Sequence, residues 1–290
     1  MLKVFKHIAI IGRRNSAHIA LQVIKLAECL QEIGCVAYLD SSVAAEHRGY
    51  RWGKLAEWID EIDLAIIIGG DGTMLSAGRD LVNHGIPLIG INQGKLGFMT
   101  DIAIGDMQHV ISEMLLNNKY LEEERSLLCG QIFRNNSCIY ESLALNDIVI
   151  SRGAIGSMIE FAMSINQEFV HSQKSDGVIF ATPTGSTAYS LAAGGPILHP
   201  HSKVFSIVPI CPQSMSNRPI VISDEVRIDL TLVKDNPATI HYDGQEYFAL
   251  GLGDQIVISK AQRPLRLLHP LDYNYYNTLR TKLYWSQRVS

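Results

Sequence analysis

The sequence predicts an α/β domain over residues 1–122 followed by a β-rich domain over 123–270, with the tail, 271–290, packing back on the first. Three observations predict it. Up to Asn117, apolar runs alternate with helically spaced segments, the pattern of a parallel sheet wrapped by helices. Beyond Leu121, short strand-like runs follow one another with turn residues between them, as in Arg134-Asn135-Asn136 and Lys234-Asp235-Asn236-Pro237. And 290 residues, 47% hydrophobic and 19% charged, are enough to build a sizeable core in each half.

In the first half His7 to Gly12 is an apolar run ending in glycine, a first strand. Ser16 to Ile33 carries Ala20, Val23, Ile24, Ala27 and Leu30 at helical spacing, and Gly34 supplies the C-cap. Cys35 to Leu39 is a second strand, and His47 to Trp58 is mixed, with the look of a mobile loop. Asp63 to Ile68 is a strand, Thr73 to Asn83 a helix stopped by His84-Gly85, Ile86 to Ile91 a further buried strand, and Asp106 to Asn117 a helix capped by Asp106. In such sheets ligands bind outside the carboxyl ends of the strands, which points Asp71 and Asn92 toward one crevice.

The stretch Ile66-Ile67-Ile68-Gly69-Gly70-Asp71-Gly72-Thr73 organises this half. A buried strand turns through three glycines around one carboxylate and opens onto a helix, whose free N–H groups favour phosphate. Gly69, Gly70, Gly72 and Thr73 therefore form a candidate phosphate loop with Asp71 at its centre. The plainer alternative is a strand-to-helix turn with a solvated Asp. A second glycine turn, Asn92 to Thr100, is not a Walker A loop, because Leu96 follows Lys95 where Ser or Thr is required. Phe98 there is either an apolar shelf for a base or a core residue.

In the second half the run Glu122-Glu123-Glu124-Arg125 marks a solvated boundary, and strands are expected at Leu127–Phe133, Ile139–Ala144, Ile148–Ser151, Met158–Ile165, Val204–Ile210, Val226–Leu232, Gln255–Ser259 and Leu265–Leu268. Asn146-Asp147 can read hydroxyls by donating and accepting, though as a dipeptide it also suits a turn. From Gly177 to His201 the chain has no Asp, Glu, Lys or Arg, yet it holds Pro183, Pro196 and Pro200 and a cluster of hydroxyls, which is not a spanning helix but a buried or ligand-lining segment. Within it a short helix over Ser186–Ala193, ended by Gly194-Gly195-Pro196, fits a polar ligand at its start. Asp243-Gly244-Gln245 is a hairpin turn.

Composition excludes other classes. A net charge of −4 without a strongly basic run argues against nucleic acid as a partner. The N-terminus has no basic head and apolar run of a signal peptide. Five widely spaced cysteines without a Cys-x-x-Cys suggest reduced thiols and a cytoplasmic protein, with neither a disulfide framework nor a zinc site. No metal ligand set, nucleophile elbow or Gly-x-Gly-x-x-Gly after the first strand is present: Gly12 is followed by Arg13-Arg14-Asn15.

Taken together, Gly69-Gly70-Asp71-Gly72-Thr73, Asn92 to Phe98, Asn146-Asp147, Ser175-Asp176-Gly177, the block Thr182 to Pro196 and the tail His269-Pro270-Leu271-Asp272-Tyr273-Asn274-Tyr275 resemble the NAD kinase family in its proteobacterial form. The short Gly-Gly-Asp-Gly-Thr motif is shared with phosphofructokinases and lipid kinases; the hydroxyl-rich block is far more specific. The resemblance implies a Rossmann-like α/β domain with a β-rich, β-sandwich-like partner. It also implies an ATP- and Mg2+-dependent enzyme of NADP biosynthesis that phosphorylates the 2′-hydroxyl of the adenosine ribose of NAD, as a homodimer or homotetramer. It makes Asp71 the catalytic carboxylate with Gly72 beside it, and Phe98 the adenine-side residue. Asn146 and Asp147 become the ribose-holding pair, Asp176 a contact to the nicotinamide end, and Thr187, Ala188, Tyr189, Ser190, Leu191 and Ala192 the cofactor-lining segment, with Gln245 a late polar contact. Three further correspondences depart from the family pattern: Asp147 stands where Glu is common, Ser157 where His occurs, and Lys174 where Arg occurs. A different kinase of the same motif group, acting on a lipid or sugar, and a non-catalytic NADP(H) sensor are the alternatives; the intact Asp71 speaks against the sensor.

Overall fold

A computed structural model describes residues 5–12, 17–41, 49–153, 157–234 and 237–285. The chain forms two compact units, Met1–Glu124 with Leu265–Ser290, and Arg125–Pro264. The expected division after 122 and after 270 therefore differs most at Leu265–Pro270, which joins the first unit.

The first unit opens with β1 (His7–Gly12), α1 (Ala17–Glu32), β2 (Val36–Asp40) and β3 (Arg51–Gly53). Then come β4 (Leu64–Gly69), α2 (Asp71–Leu81), β5 (Leu88–Asn92), β6 (Ile102–Ala103), α3 (Met107–Leu116) and β7 (Tyr120–Arg125). The mixed stretch expected as a loop contains β3 and a short 3-10 turn at Leu55–Glu57, and His47 and Arg48 lie outside the described residues. α2 begins at Asp71, two residues earlier than the spacing predicts, and Gly85 ends the following 3-10 turn in a left-handed conformation (φ 67°). α3 does start after Asp106, but that side chain makes no capping hydrogen bond.

The second unit contains β8 (Leu128–Arg134), β9 (Ser137–Ala144), β10 (Asp147–Arg152), β11 (Ile159–Ile165), β12 (Glu168–Ser175) and β13 (Gly177–Ala181). After α4 (Tyr189–Ala192) follow β14 (Val204–Ile210), β15 (Ile220–Ser223), β16 (Ile228–Leu232), β17 (Ala238–Tyr242), β18 (Glu246–Leu250) and β19 (Gln255–Lys260). The chain then returns to the first unit with β20 (Leu265–Pro270) and α5 (Tyr275–Leu283).

In the first unit the strand order is β3-β2-β1-β4-β5-β20-β7, with β6 beside β5. Pairs from β3 through β5 to β20 are parallel. β4 is buried at every position, which is why its sequence is a continuous apolar run and not an alternating one. Ile8, Ile10, Ile66, Ile68, Ile89 and Ile91 pack with Val23, Leu26 and Leu30 of α1 and with Ile111 and Met114 of α3. The run Glu122-Glu123-Glu124-Arg125 does hold the division between the units, after Glu124, but it is only half solvated: it is the end of β7, and strand alternation turns Glu123 and Arg125 inward.

In the second unit two six-stranded sheets have the orders β15-β14-β13-β10-β17-β18 and β12-β11-β16-β19-β8-β9. The recorded pairings are antiparallel. Ile148, Phe180 and Ile240 of one sheet share a core with Phe161, Leu230 and Ile256 of the other, so the unit is a β-sandwich. The opposite face of β10, β13 and β14 has its own small core of Val149, Ile179, Ala181 and Val208, against which Ala193 packs. Those strands are covered on both faces, and the uncharged segment after Gly177 follows from that. The helix expected at Ser186–Ala193 is instead a 3-10 turn, Gly185–Thr187, and the short α4, separated by Ala188 at φ −100°, ψ −129°.

One ion pair secures a sandwich turn. Arg134 donates from Nε and Nη2 to the fully buried Asp254 carboxylate at 2.7 and 2.8 Å, and Gly251 N–H donates to the same group at 2.8 Å. Arg134 holds the Asp254 carboxyl below its ordinary pKa. A depressed carboxyl pKa contributes stability above the unfolded value and loses it as pH falls. We therefore expect Arg134→Met to lower the thermal midpoint clearly at pH 7, and the gap from wild type to close as pH falls below about 4, measured by thermal unfolding across pH.

Candidate functional site

Asp71 is the first residue of α2, and its backbone position follows from Gly70, which precedes the helix in extended conformation. Its carboxylate is captured by the second glycine turn. Phe98 N–H donates to Oδ2 and Met99 N–H to Oδ1, each at 3.0 Å. Two consecutive amides thus hold two carboxylate oxygens and fix the plane of the group. The turn is shaped by Gly97 N–H donating to Thr100 O at 3.0 Å. Gly97 is required by space: a Cβ there would lie 2.4 Å from Asp71 Oδ1 and 2.2 Å from Thr100 Oγ1.

Asn92 does not face a ligand beside Asp71. It is buried, donates from Nδ2 to Thr100 O at 3.2 Å and accepts Gly94 N–H at 3.1 Å, so its amide is committed to holding the loop. The register Gly69↔Asn92 between β4 and β5 brings the two glycine turns side by side. Gly72 and Thr73 line a cavity of about 660 Å³ with Gly12, Asp40, Lys54 and Ser76, at the carboxyl ends of β1 and β2. Gly70 and Gly72 are exposed, Thr73 and Phe98 half-buried, and Gly69 fully buried beneath Thr73.

The second unit builds a different constellation. Asp243 and Gly244 both adopt left-handed angles (φ 53° and 63°), and Gln245 N–H closes the turn onto Tyr242 O at 3.0 Å. This turn aims the Asp243 carboxylate at three successive amides: Leu145 at 3.0 Å, Asn146 at 2.7 Å and Asp147 at 3.2 Å. From the other side Thr182 donates through its hydroxyl to Leu145 O at 2.6 Å and through its N–H to Asn146 O at 2.9 Å. Gly185 leaves room for that packing, since a Cβ would meet Asn146 O at 2.0 Å. Asn146-Asp147 is therefore clamped from both sides. It lines a cavity of about 380 Å³ with Ala188, Tyr189, His241 and Gly244. Burial, and then the nearby Asp243 carboxylate, push the Asp147 pKa up to about 7. Burial pushes the His241 pKa down.

Comparison with known proteins agrees across the chain. Residues 8–120 match the ATP-NAD kinase N-terminal domain and residues 145–270 the ATP-NAD kinase C-terminal domain. The chain belongs to the ATP-NAD kinase family. A protein named NAD kinase from Chromobacterium violaceum is 46% identical, covering 100% of both chains. Another from Thiobacillus denitrificans is 44% identical over 98% of this chain and 99% of that protein. Two solved structures share the fold. Yeast NADH kinase complexed with NADH superposes with a TM-score of 0.87 at 22% identity, covering 99% of this chain and 90% of that one. An NAD kinase from Archaeoglobus fulgidus in complex with ATP gives 0.72 at 23% identity, covering 95% and 99%.

Of the residues named from the family resemblance, the structure gathers Asn146, Asp147, Ala188 and Tyr189 around one cavity. Thr187 and Leu191 are half-buried, Ala192 is exposed, and Ser190 is fully buried beneath the segment. Lys174 lines a separate cavity of about 590 Å³ with Glu160 and Lys234. Asp176 is paired with Arg152 Nε at 2.9 Å, and Ser157 and Gln245 are exposed. Much of the hydroxyl cluster is internal: Ser186 donates to Pro183 O at 2.6 Å, and Thr184 Oγ1 accepts from the buried Arg125 at 3.2 Å. Asp243 and His241 are the residues that sequence reading passed over. The signal was present in Asp243-Gly244, a turn whose first residue can carry an acceptor in left-handed conformation.

The Asp147 carboxyl yields a stability prediction. Its pKa is raised on folding, so its contribution is fully present below the unfolded value near 4 and lost as pH rises through about 7. Asp147→Asn, uncharged at every pH, should raise the thermal midpoint above wild type at pH 8, removing a penalty of up to about 4 kcal/mol. The difference should shrink toward pH 4, as followed by thermal unfolding.

Proposed function

We propose that the chain transfers the terminal phosphoryl group of ATP to the 2′-hydroxyl of the adenosine ribose of NAD, giving NADP, with Asp71 as the catalytic carboxylate. One observation carries the role of Asp71. It is a carboxylate at the start of a helix, flanked by exposed glycines, with its orientation fixed by two amides and its outer lone pairs left to accept. Family membership in both halves of the chain supports the reaction, and relatives of 44–46% identity carry the name NAD kinase.

A ribose hydroxyl is a weak nucleophile. A carboxylate within hydrogen-bond reach orients it and takes its proton as the bond to phosphorus forms. Because the amides already fix Asp71, little reorientation is needed at the moment of transfer. The exposed Gly70 and Gly72 let donor phosphates approach the backbone at the start of α2. A magnesium ion bound with the donor would offset phosphate charge during transfer. Among the described residues no three His, Cys, Asp or Glu side chains converge on one point, and Asp71 is the oxygen donor suited to touch a metal carried by ATP.

On the substrate side Asn146 and Asp147 hold ribose hydroxyls, and the exposed Tyr189 ring offers a stacking face for a base. The five cysteines are free thiols, which supports a reducing, cytoplasmic setting. No helix among the described residues is long and apolar enough to cross a membrane. A homodimer or homotetramer is supported by large apolar side chains left exposed on the β-sandwich, among them Phe169, Tyr247 and Leu252.

The test is direct. Protein, NAD, ATP and magnesium should yield NADP, detected with an NADP-specific dehydrogenase. Asp71→Asn, nearly isosteric, should lower turnover by about a hundredfold or more while NAD still binds. Near-normal turnover in that variant would remove Asp71 from its role; phosphate appearing only on a lipid or sugar would replace the acceptor.

A further inference from the structure

The first unit contains a buried ionisable cluster that the reaction as described does not use. His269, near the end of β20, is 1% exposed. Its Nδ1 lies 3.1 Å from Asp101 Oδ2, and its Nε2 lies 3.2 Å from Glu123 Oε2 on β7. The Tyr273 ring stacks on the imidazole with centroids 3.9 Å apart and planes 11° apart. All three ionisable side chains are at most 7% exposed.

Burying charges is costly, and apolar packing of the same volume is often as stable or more so. What such a cluster supplies is direction, because hydrogen bonds and ion pairs fix geometry in a way that apolar contacts do not. Here the direction is imposed on Asp101, and Asp101 is the residue after the turn that captures Asp71. That turn is tied at its start by Asn92, which accepts Gly94 N–H and donates to Thr100 O. Its backbone lies against β5 so closely that a Cβ on Gly90 would sit 2.1 Å from Met99 O. At its far end it is tied by the Asp101 carboxylate to His269. The amides of Phe98 and Met99 lie between these two ties.

We propose that His269 is a positioning residue for phosphoryl transfer: through Asp101 it anchors the Gly97–Thr100 turn, whose Phe98 and Met99 amides set the Asp71 carboxylate. This rests on the reading of Asp71 as the catalytic carboxylate. Glu123 completes the arrangement, its Oε2 facing the second ring nitrogen at 3.2 Å. Loss of the His269 contact frees the turn, the amide fork loosens, and the carboxylate is no longer held where the hydroxyl needs it. Small misplacements of this kind lower turnover more than substrate binding.

The experiment is a double-mutant cycle on the full chain with His269→Gln and Asp71→Asn, reading kcat and the KM for NAD. His269→Gln alone should lower kcat about tenfold and change KM by less than about twofold. In the Asp71→Asn background the same substitution should change kcat by less than about twofold, because the group it positions is already disabled. An unchanged kcat, or an equal loss in both backgrounds, would overturn the proposal and leave His269 as a packing residue. If His269→Gln does not fold by circular dichroism, Asp101→Asn, of nearly the same shape, carries the same cycle with the same two outcomes. Full turnover in Asp71→Asn alone would instead unseat Asp71, which is a distinct result.

Discussion

The capture of the Asp71 carboxylate by two consecutive amides is the interaction on which the arrangement of the two glycine turns depends. A free Asp side chain at a helix start rotates about two bonds and turns inward to cap its own amides. Here that rotation is closed, since Phe98 N–H and Met99 N–H each take one oxygen. The capture is possible because β4 and β5 are parallel neighbours whose ends align at Gly69 and Asn92. Two loops that leave the carboxyl ends of adjacent strands are then close enough to bond each other. The missing side chain of Gly97 lets the second loop close over the carboxylate without a clash.

The β-sandwich uses the same device for a different purpose. Asp243 also spreads its carboxylate over consecutive amides, but those amides belong to the residues it positions, Leu145 to Asp147. In the first unit backbone holds a carboxylate; in the second a carboxylate holds backbone. The consequence differs as well. Burial of Asp147, and after it the like charge of the neighbouring Asp243, raise the Asp147 pKa to about 7.

The parts of this architecture legible in the sequence are those where one physical pattern acts alone. The run Ile66-Ile67-Ile68 followed by three glycines announces a doubly buried strand and a tight turn, because few other environments accept either. Parallel strands with helical crossovers were legible for the same reason. β12 was not, because it is an edge strand with half of its residues exposed and no apolar alternation in its sequence to detect. β13 merged into the uncharged segment, because burial on both faces erases the period of two. The charged run before Ser126 misled for the opposite reason: composition suggested solvent, whereas β7 hides Glu123 and Arg125 behind pairings made far along the chain. Leu265–Pro270 shows the same limit, since a six-residue strand does not reveal which sheet it will join. In the candidate site the polar residues were visible by type, but which hydroxyls face inward is decided by neighbours such as Arg125 and Leu145.

Asp147 shows how a departure from a family pattern acquires chemical meaning. Where the resemblance leads one to expect Glu, an Asp carboxyl is one methylene shorter and stays closer to the backbone. At this position the residue is only 5% exposed. With a pKa pushed to about 7, the group is divided between carboxylic acid and carboxylate at neutral pH. The acid form can donate to a hydroxyl oxygen and the carboxylate can accept from a hydroxyl hydrogen, so one side chain serves both directions of a hydroxyl contact. Asn146 beside it has the same double capacity by virtue of its amide. The proposed reading gives this pair vicinal hydroxyls to meet, which each present one donor and an acceptor.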